Sequence, residues 1–374
     1  MPRTSLRRIA ATLLPLVTGA STLGAQPDAA AVDRIFARYA TPGAPGASVL
    51  VMRHGTVLLE RTYGLSSLEH GTPVEPGSAF RLASLTKQFT AATVLLLARE
   101  GRLRLDEPVV DVLPELPAHA RGVTIRHLLT HTSGLWDYES FVPDTQTVQV
   151  KDRDVPRLLQ QARGPYFPPG TRYRYSNTGY ALLALVVERR GGAPFARLLH
   201  ERIFAPLGMT GAVAFEDGVS TVARRAWGYA PAREGGWRPR DQSNTSAVLG
   251  DGGVYASVRD LARWYAALDS ATLLRVDELR AVTTPAALAD GTPGPYGFGW
   301  FVDQDGARPR LSHHGETSGF TNAVLRYPVE GITVLVLTNR AGGAPWDLAL
   351  AVADLMLDRP TAGATRSWPF EPES

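Results

Sequence analysis

Arg81-Leu-Ala-Ser84-Leu-Thr-Lys87-Gln-Phe-Thr90 sets a serine and a lysine three residues apart at the start of a helix-like apolar run. Residues spaced by three share one helix face, so the Lys87 amine comes within hydrogen-bond reach of the Ser84 hydroxyl and is placed to take its proton. Both residue types are common enough for such a pair to arise on any solvated helix, so the reading needs support from the rest of the chain. Composition supplies some. Of 39 Lys and Arg residues only Lys87 and Lys151 are lysine; the other 37 are arginine. A guanidinium stays protonated and cannot act as a base, whereas a buried amine can cycle a proton. Phe89, Val94, Leu95, Leu96 and Leu97 give a wide apolar face before Gly101, which puts Ser84 near a helix N-terminus. Backbone N–H groups there favour developing negative charge, as on an attacked carbonyl oxygen; a plain N-cap serine would fit the same position.

Working outward, residues 30–39 pattern as a short amphipathic helix, and Pro42-Gly-Ala-Pro-Gly46 breaks it. Residues 47–52 and 57–59 read as strands joined by an Arg53-His-Gly-Thr56 hairpin turn. Downstream, 122–135 reads as a short helix closed at Gly134, 180–188 as a buried helix, and 257–268 as a helix opened by a Ser-x-x-Asp cap. Strand character returns over 297–302, 310–314, 321–327 and 331–338, spaced like an antiparallel meander, and a last helix covers 347–357. These elements predict an α+β fold: an α/β sandwich whose antiparallel sheet is flanked by helices and built from both ends of the chain (26–90 and 290–360). A mostly helical lobe (91–289) is inserted between them, with a cleft where the lobes meet and a flexible tail over 361–374.

The chain has 374 residues, 44% hydrophobic and 20% charged, which is ordinary for a globular protein with a sizeable core. It has no cysteine, which excludes disulfides, a thiol nucleophile and Cys-ligated metal. Arg3, Arg7 and Arg8 followed by an apolar run over 9–17 and small residues up to Ala25 read as a secretory signal cleaved after Ala25, hence a secreted or periplasmic protein. Without those 25 residues the chain carries 36 basic and 36 acidic side chains, so no electrostatic footprint for nucleic acid or membrane remains. No later stretch is long and apolar enough to span a bilayer. His127 and His131, four apart, lack an H-E-x-x-H context and read as turn-stabilising; no metal or other cofactor is expected.

Tyr175 and Asn177 stand on a loop just before the 180–188 helix, where they can reach a cleft or serve as a core aromatic and a cap. In order, Ser84-Leu-Thr-Lys87, Tyr175-Ser-Asn177 and His313-His-Gly315 resemble the three motifs of the serine β-lactamase and penicillin-binding-protein superfamily. The closest likeness is to its class C β-lactamase, D-Ala-D-Ala carboxypeptidase and esterase branch. Leu128-Leu-Thr-His-Thr-Ser-Gly-Leu135, Phe167-Pro-Pro-Gly170, Pro206-Leu-Gly-Met209, Gly252-Gly-Val-Tyr255 and Tyr296-Gly-Phe-Gly-Trp300 carry the likeness over residues 30–358.

The resemblance implies a β-lactamase/transpeptidase-like fold and an acyl-enzyme on Ser84, with Lys87 and Tyr175 sharing the proton transfers and Asn177 orienting Lys87 and the substrate. It also implies an oxyanion site between the backbone N–H groups of Ser84 and Glu316, with Gly315 admitting the substrate backbone. Where β-lactamases usually carry lysine, this chain has His313, whose charge switch near neutrality implies a weaker, pH-dependent hold on a substrate carboxylate. That shifts the expected substrate from β-lactams towards other esters or amides, including peptidoglycan-derived ones. A non-catalytic penicillin-binding or cell-wall-binding module is the alternative; no G-x-S-x-G elbow supports an α/β-hydrolase.

Overall fold

Ala47–Arg53 (β1) is apolar at nearly every position and buried up to its last residue, Arg53, as a strand must be when both faces of its sheet are covered. In the computed structural model, which describes residues 27–357 and Arg359, it is an inner strand of a six-stranded antiparallel sheet. His54 (φ 47°) and Gly55 (φ 74°) turn it into Thr56–Tyr63 (β2), the left-handed pair that a tight two-residue hairpin demands. The other strands come from the far end of the chain: Phe301–Asp305 (β3), Arg308–Thr317 (β4), Phe320–Tyr327 (β5) and Ile332–Thr338 (β6), in the order β3-β4-β5-β6-β1-β2. β1 closes the two halves by pairing with β6 from Ala47↔Thr338 to Arg53↔Ile332.

Side chains alternate between two cores, as the period of a strand dictates. Val49, Val51, Val334 and Val336 pack under Ala29–Ile35 (α1) and the C-terminal helix Pro345–Met356, with Phe36 and Trp346 filling the layer. Leu50, Val324, Leu335 and Leu337 face the larger core shared with the middle of the chain. Each such side chain contributes about 1.5–3 kcal/mol on burial. The expected α+β sandwich with its flanked antiparallel sheet is the observed fold.

Three features of the middle segment place the cleft. Lys87–Arg99 (α2) runs unbroken through residue 90, so the helix that starts at the Ser84 turn belongs to the interior of the helical layer. Asn177–Gly191 (α3) packs beside it, with Gly179 so close to the Leu128 carbonyl that a Cβ would stand 2.8 Å from it. Phe80–Arg81 pairs with Val254–Ala256, and the Leu82 N–H donates to Val254 O at 2.8 Å, which ties the approach to Ser84 to the middle of the chain.

One expected strand is shorter than its pattern: of 297–302, only Phe301 and Val302 lie in β3. Gly297 and Gly299 supply the reason. A Cβ on Gly297 would meet Val282 O at 2.0 Å, and Gly299 (φ 81°) presses on the backbone of Gln88, so these residues serve close backbone contact, Gly297 against the Val276–Thr283 helix and Gly299 against α2. The expected signal segment 1–25 and tail 361–374 lie outside the described residues. No helix among the described residues is long and apolar enough to cross a membrane.

Candidate active site

Ser84 sits in a single 3-10 turn, Ala83–Thr86, that feeds directly into α2. Ala83 before it is left-handed (φ 50°), a conformation costing a non-glycine residue about 1–2 kcal/mol. That kink turns the chain sharply out of the Phe80–Arg81 strand and presents Ser84 at the cleft. No side chain caps either the turn or α2, so Ser84 is not an N-cap.

Lys87 is fully buried, and its Nζ has three acceptors: Ser84 Oγ at 3.1 Å, Asn177 Oδ1 at 2.9 Å and the Asp251 carbonyl at 3.0 Å. An ammonium would spend all three N–H bonds on these partners. A neutral amine keeps two N–H bonds for Asn177 and Asp251, and its lone pair then faces the Ser84 hydroxyl, the geometry a base needs.

Asn177 is the first residue of α3, and its N–H donates to Asp137 Oδ2 at 2.7 Å, which fixes the side chain that orients Lys87. Tyr175 presents its ring: Lys87 Nζ lies 4.9 Å from the ring centroid, a cation–π distance, while the buried Tyr175 hydroxyl has no hydrogen-bond partner. His131 lies 4.2 Å from the same ring, centre to centre, and its Nδ1 accepts the Ser176 N–H at 3.2 Å. Burial and the nearby Lys87 hold His131 well below 6.5, so it props the loop carrying Tyr175 as a neutral ring. His127 completes a capping box with Thr124.

β3 pairs with β4 only as far as Ser312, so the His313–Thr317 stretch has β5 on one side and an open edge on the other. Gly315 brings this edge against the Ser84 turn: a Cβ there would lie 2.4 Å from Leu82 O and 3.3 Å from Ser84 N. The glycine thus admits the turn itself, rather than only a substrate backbone. Ser84, Asn177 and Glu316 line one cavity.

His313 differs from the sequence expectation. It is buried, its Nε2 is 2.8 Å from the Tyr296 hydroxyl, and its Nδ1 is 2.7 Å from the His314 carbonyl. Burial, helped by Lys87, pushes it down to about 3. It is neutral across the physiological range, so the pH-dependent cationic hold on a carboxylate is not available to it.

The cavity also holds residues that the motifs did not single out. Asp251 lines it, accepts the Tyr138 hydroxyl at 3.0 Å, and is pushed up to about 7 by burial, against the pull of Lys87. Glu139 keeps solvent contact at the rim, and its Oε1 accepts the Asn177 amide at 3.3 Å. Desolvation in the cleft, with Asp137 and Asp251 adding to it, pushes Glu139 up to about 7. The sequence carried a weak signal for both: Asp251 lies between glycines, and Asp137 and Glu139 follow the turn at Gly134.

A family model described as Beta-lactamase matches residues 32–355. Penicillin-binding protein 4* of Bacillus subtilis is 31% identical over 320 residues, covering 82% of this chain and 70% of that protein. A D-aminopeptidase of Gluconobacter oxydans is 33% identical over 348 residues, covering 92% of this chain but only 62% of its own length. Among solved structures, the D-amino acid amidase of Ochrobactrum anthropi superposes with a TM-score of 0.73 at 26% identity, covering 88% of this chain and 97% of that one. An octameric penicillin-binding protein homologue from Pyrococcus abyssi superposes with a TM-score of 0.76 at 25% identity, covering 88% and 76%. With the Ser84–Lys87 pair and Asn177 meeting between helices beside a flanked antiparallel sheet, and with similarity running through nearly the whole described chain, the protein belongs to the β-lactamase/transpeptidase-like superfamily of serine hydrolases.

Proposed function

We propose that the chain is a secreted hydrolase that cleaves small amides, esters or peptides bearing a free amino end, with a D-amino acid on the acyl side, through an acyl-enzyme on Ser84. The observation that carries the reading is the Ser84–Lys87–Asn177 contact, a nucleophile and an amine held by a third group. Ser84 Oγ attacks the carbonyl carbon while its proton passes to Lys87 Nζ. The oxyanion lies between the N–H groups of Ser84 and Glu316. Lys87 then gives the proton to the leaving nitrogen or oxygen as that bond breaks. Water attacks the ester while its proton goes to the amine, and Lys87 passes that proton to Ser84 Oγ as the C–Oγ bond breaks, which restores both groups. The Tyr175 ring face lies against Lys87 Nζ and favours the ammonium that forms while Lys87 holds the proton.

The substrate class is supported by the cavity wall and by the relatives. Glu139 and Asp251 give the cavity acidic groups suited to an ammonium, and neutral His313 offers no charge to the carboxylate of a β-lactam. The relatives named as D-aminopeptidases and D-amino acid amidases point the same way. The open edge at His313–Thr317 suits an extended acyl group adding as a strand. Export rests on the segment ending at Ala25.

Turnover of D-alanine p-nitroanilide, its L-isomer, its N-acetyl derivative and nitrocefin, with Ser84→Ala as control, tests the reading. Preference for the free-amine D-substrate is expected. Equal rates on the N-acetyl compound would remove the ammonium claim, and retained turnover in Ser84→Ala would remove the mechanism. Binding of peptidoglycan with no turnover of any ester or amide would favour the non-catalytic module.

A further inference from the structure

Asp152 is a buried carboxylate outside the cleft that the mechanism above does not use. Its Oδ2 accepts the N–H of Leu249 at 2.8 Å and its Oδ1 accepts the N–H of Gly250 at 3.0 Å. One carboxylate therefore clamps two consecutive amides at the head of the short turn Leu249–Gly252. Neutral side chains rarely serve here, because only a carboxylate offers two acceptor oxygens side by side.

The clamped turn feeds directly into the reacting pair. The carbonyl of Gly250 accepts the Thr90 hydroxyl at 2.7 Å, which pins the turn to α2 from the other side. The next carbonyl, that of Asp251, is the third acceptor of Lys87 Nζ. Gly250 itself lies flat on α3, with space for no side chain: a Cβ would stand 2.2 Å from Tyr180 O. The segment bearing Asp152 is held to the same region by the Val150 N–H, which donates to Asn244 O at 2.8 Å, and by a bridge between Lys151 and Ala247.

We infer that Asp152 is a positioning residue for the reaction, holding the 249–252 turn so that the Asp251 carbonyl keeps Lys87 Nζ aimed at Ser84. Asn177 and the Asp251 carbonyl set the direction of the Nζ lone pair between them. If the turn drifts, the amine follows one acceptor less and its approach to Ser84 Oγ loosens. A misplacement of about 1 Å at a reacting group costs up to ~10²-fold in rate. The Asp152 carboxylate itself reaches the backbone of the turn and not the cavity, so for a probe without an ammonium, which does not use the Asp251 carboxylate, the loss falls on the bound-state rate and not on binding.

This inference rests on the reading of Ser84 and Lys87 as the reacting pair, and its test separates the two. A fluorophosphonate probe labels Ser84 without depending on which amide or ester is the substrate, and its kinetics give the bound-state rate kinact and the binding constant KI separately. Wild type is labelled and Ser84→Ala is not; a wild-type chain not labelled at Ser84 removes both the reading and the inference. Asp152→Asn keeps the volume but offers one acceptor in place of two. It is expected to lower kinact about 10- to 100-fold with KI within about 2-fold of wild type. Asp154→Asn, on the same 3-10 turn, is expected to leave both constants unchanged. Thr90→Val, which deletes the second tie on the turn while conserving shape, is expected to lower kinact by about 3-fold or more and decides the matter if Asp152→Asn does not fold. Unchanged kinact in either folded variant, or a loss confined to KI, overturns the inference.

Discussion

Gly315→Ala tests the proposed oxyanion site, which depends on β4 lying close to the Ser84 turn. A methyl group at this position would stand 2.4 Å from Leu82 O, 3.0 Å from Leu85 Cδ1 and 3.3 Å from Ser84 N. Carbon atoms pack at about 3.5–4.0 Å, so the first contact asks for roughly 1 Å of movement between two backbones. Leu85 can adjust by rotation, but Leu82 O cannot, because the same residue's N–H is bonded to Val254. The strain falls on the gap between β4 and the Ser84 turn. Overpacking of this kind costs about 1–3 kcal/mol, and a displacement of about 1 Å at the reacting groups costs up to ~10²-fold in rate. The variant should therefore lose roughly 1–4 °C in Tm and about 10- to 100-fold in kcat on the best amide or ester found, with KM less affected. Thermal unfolding and steady-state kinetics measure both. A Gly315→Ala protein with wild-type Tm and kcat would refute the close approach of β4 to Ser84 as the basis of the oxyanion site.

Lys87→Arg keeps hydrogen-bond donors at this position but removes the proposed base, and kcat should fall about 10²- to 10⁴-fold by steady-state assay; a loss under 3-fold would exclude Lys87 from proton transfer. Glu139, pushed up to about 7, is anionic above that pH and neutral below it, so KM for an ammonium substrate should rise as pH falls through 7. In Glu139→Gln the same KM should be raised above pH 7 and climb less steeply as pH falls, because Asp251 alone of the acidic wall still titrates there; a wild-type KM profile in this variant would contradict the acidic wall. Asp260 caps the Val258–Asp269 helix through Ser257 and also accepts the Gly211 N–H at 3.1 Å. Asp260→Ala should cost about 1–3 kcal/mol in denaturant unfolding while leaving kcat and KM unchanged, since it strands the Ser257 and Gly211 N–H groups, neither of which lines the cavity.

The sheet was legible because its strands obey simple rules. The turn at His54-Gly55 and the runs at 321–327 and 331–338 state their structure locally, and so does the Ser257-x-x-Asp260 cap. The 297–302 stretch misled for a local reason as well: its Gly-Phe-Gly-Trp pattern alternates like a strand, but the glycines are there to let the backbone touch Val282 and Gln88, residues distant in sequence. The Ser84–Lys87 spacing was readable because both residues lie on one turn. The Asp251 carbonyl was not, since any residue type supplies a carbonyl and only packing decides which one meets Lys87. His313 shows the other limit. Its identity announces a switch near neutrality, but its titration is set by burial among Tyr296, Phe301 and Tyr175, which no single motif encodes.

The central claim is that Ser84 forms an acyl-enzyme with Lys87 as its base. Intact-protein and peptide mass spectrometry after brief exposure to an activated ester addresses it directly. The expected result is one acyl group per chain on the peptide containing Ser84, absent in Ser84→Ala and formed far more slowly in Lys87→Arg. An adduct at another residue, or undiminished hydrolysis by Ser84→Ala, would contradict the account.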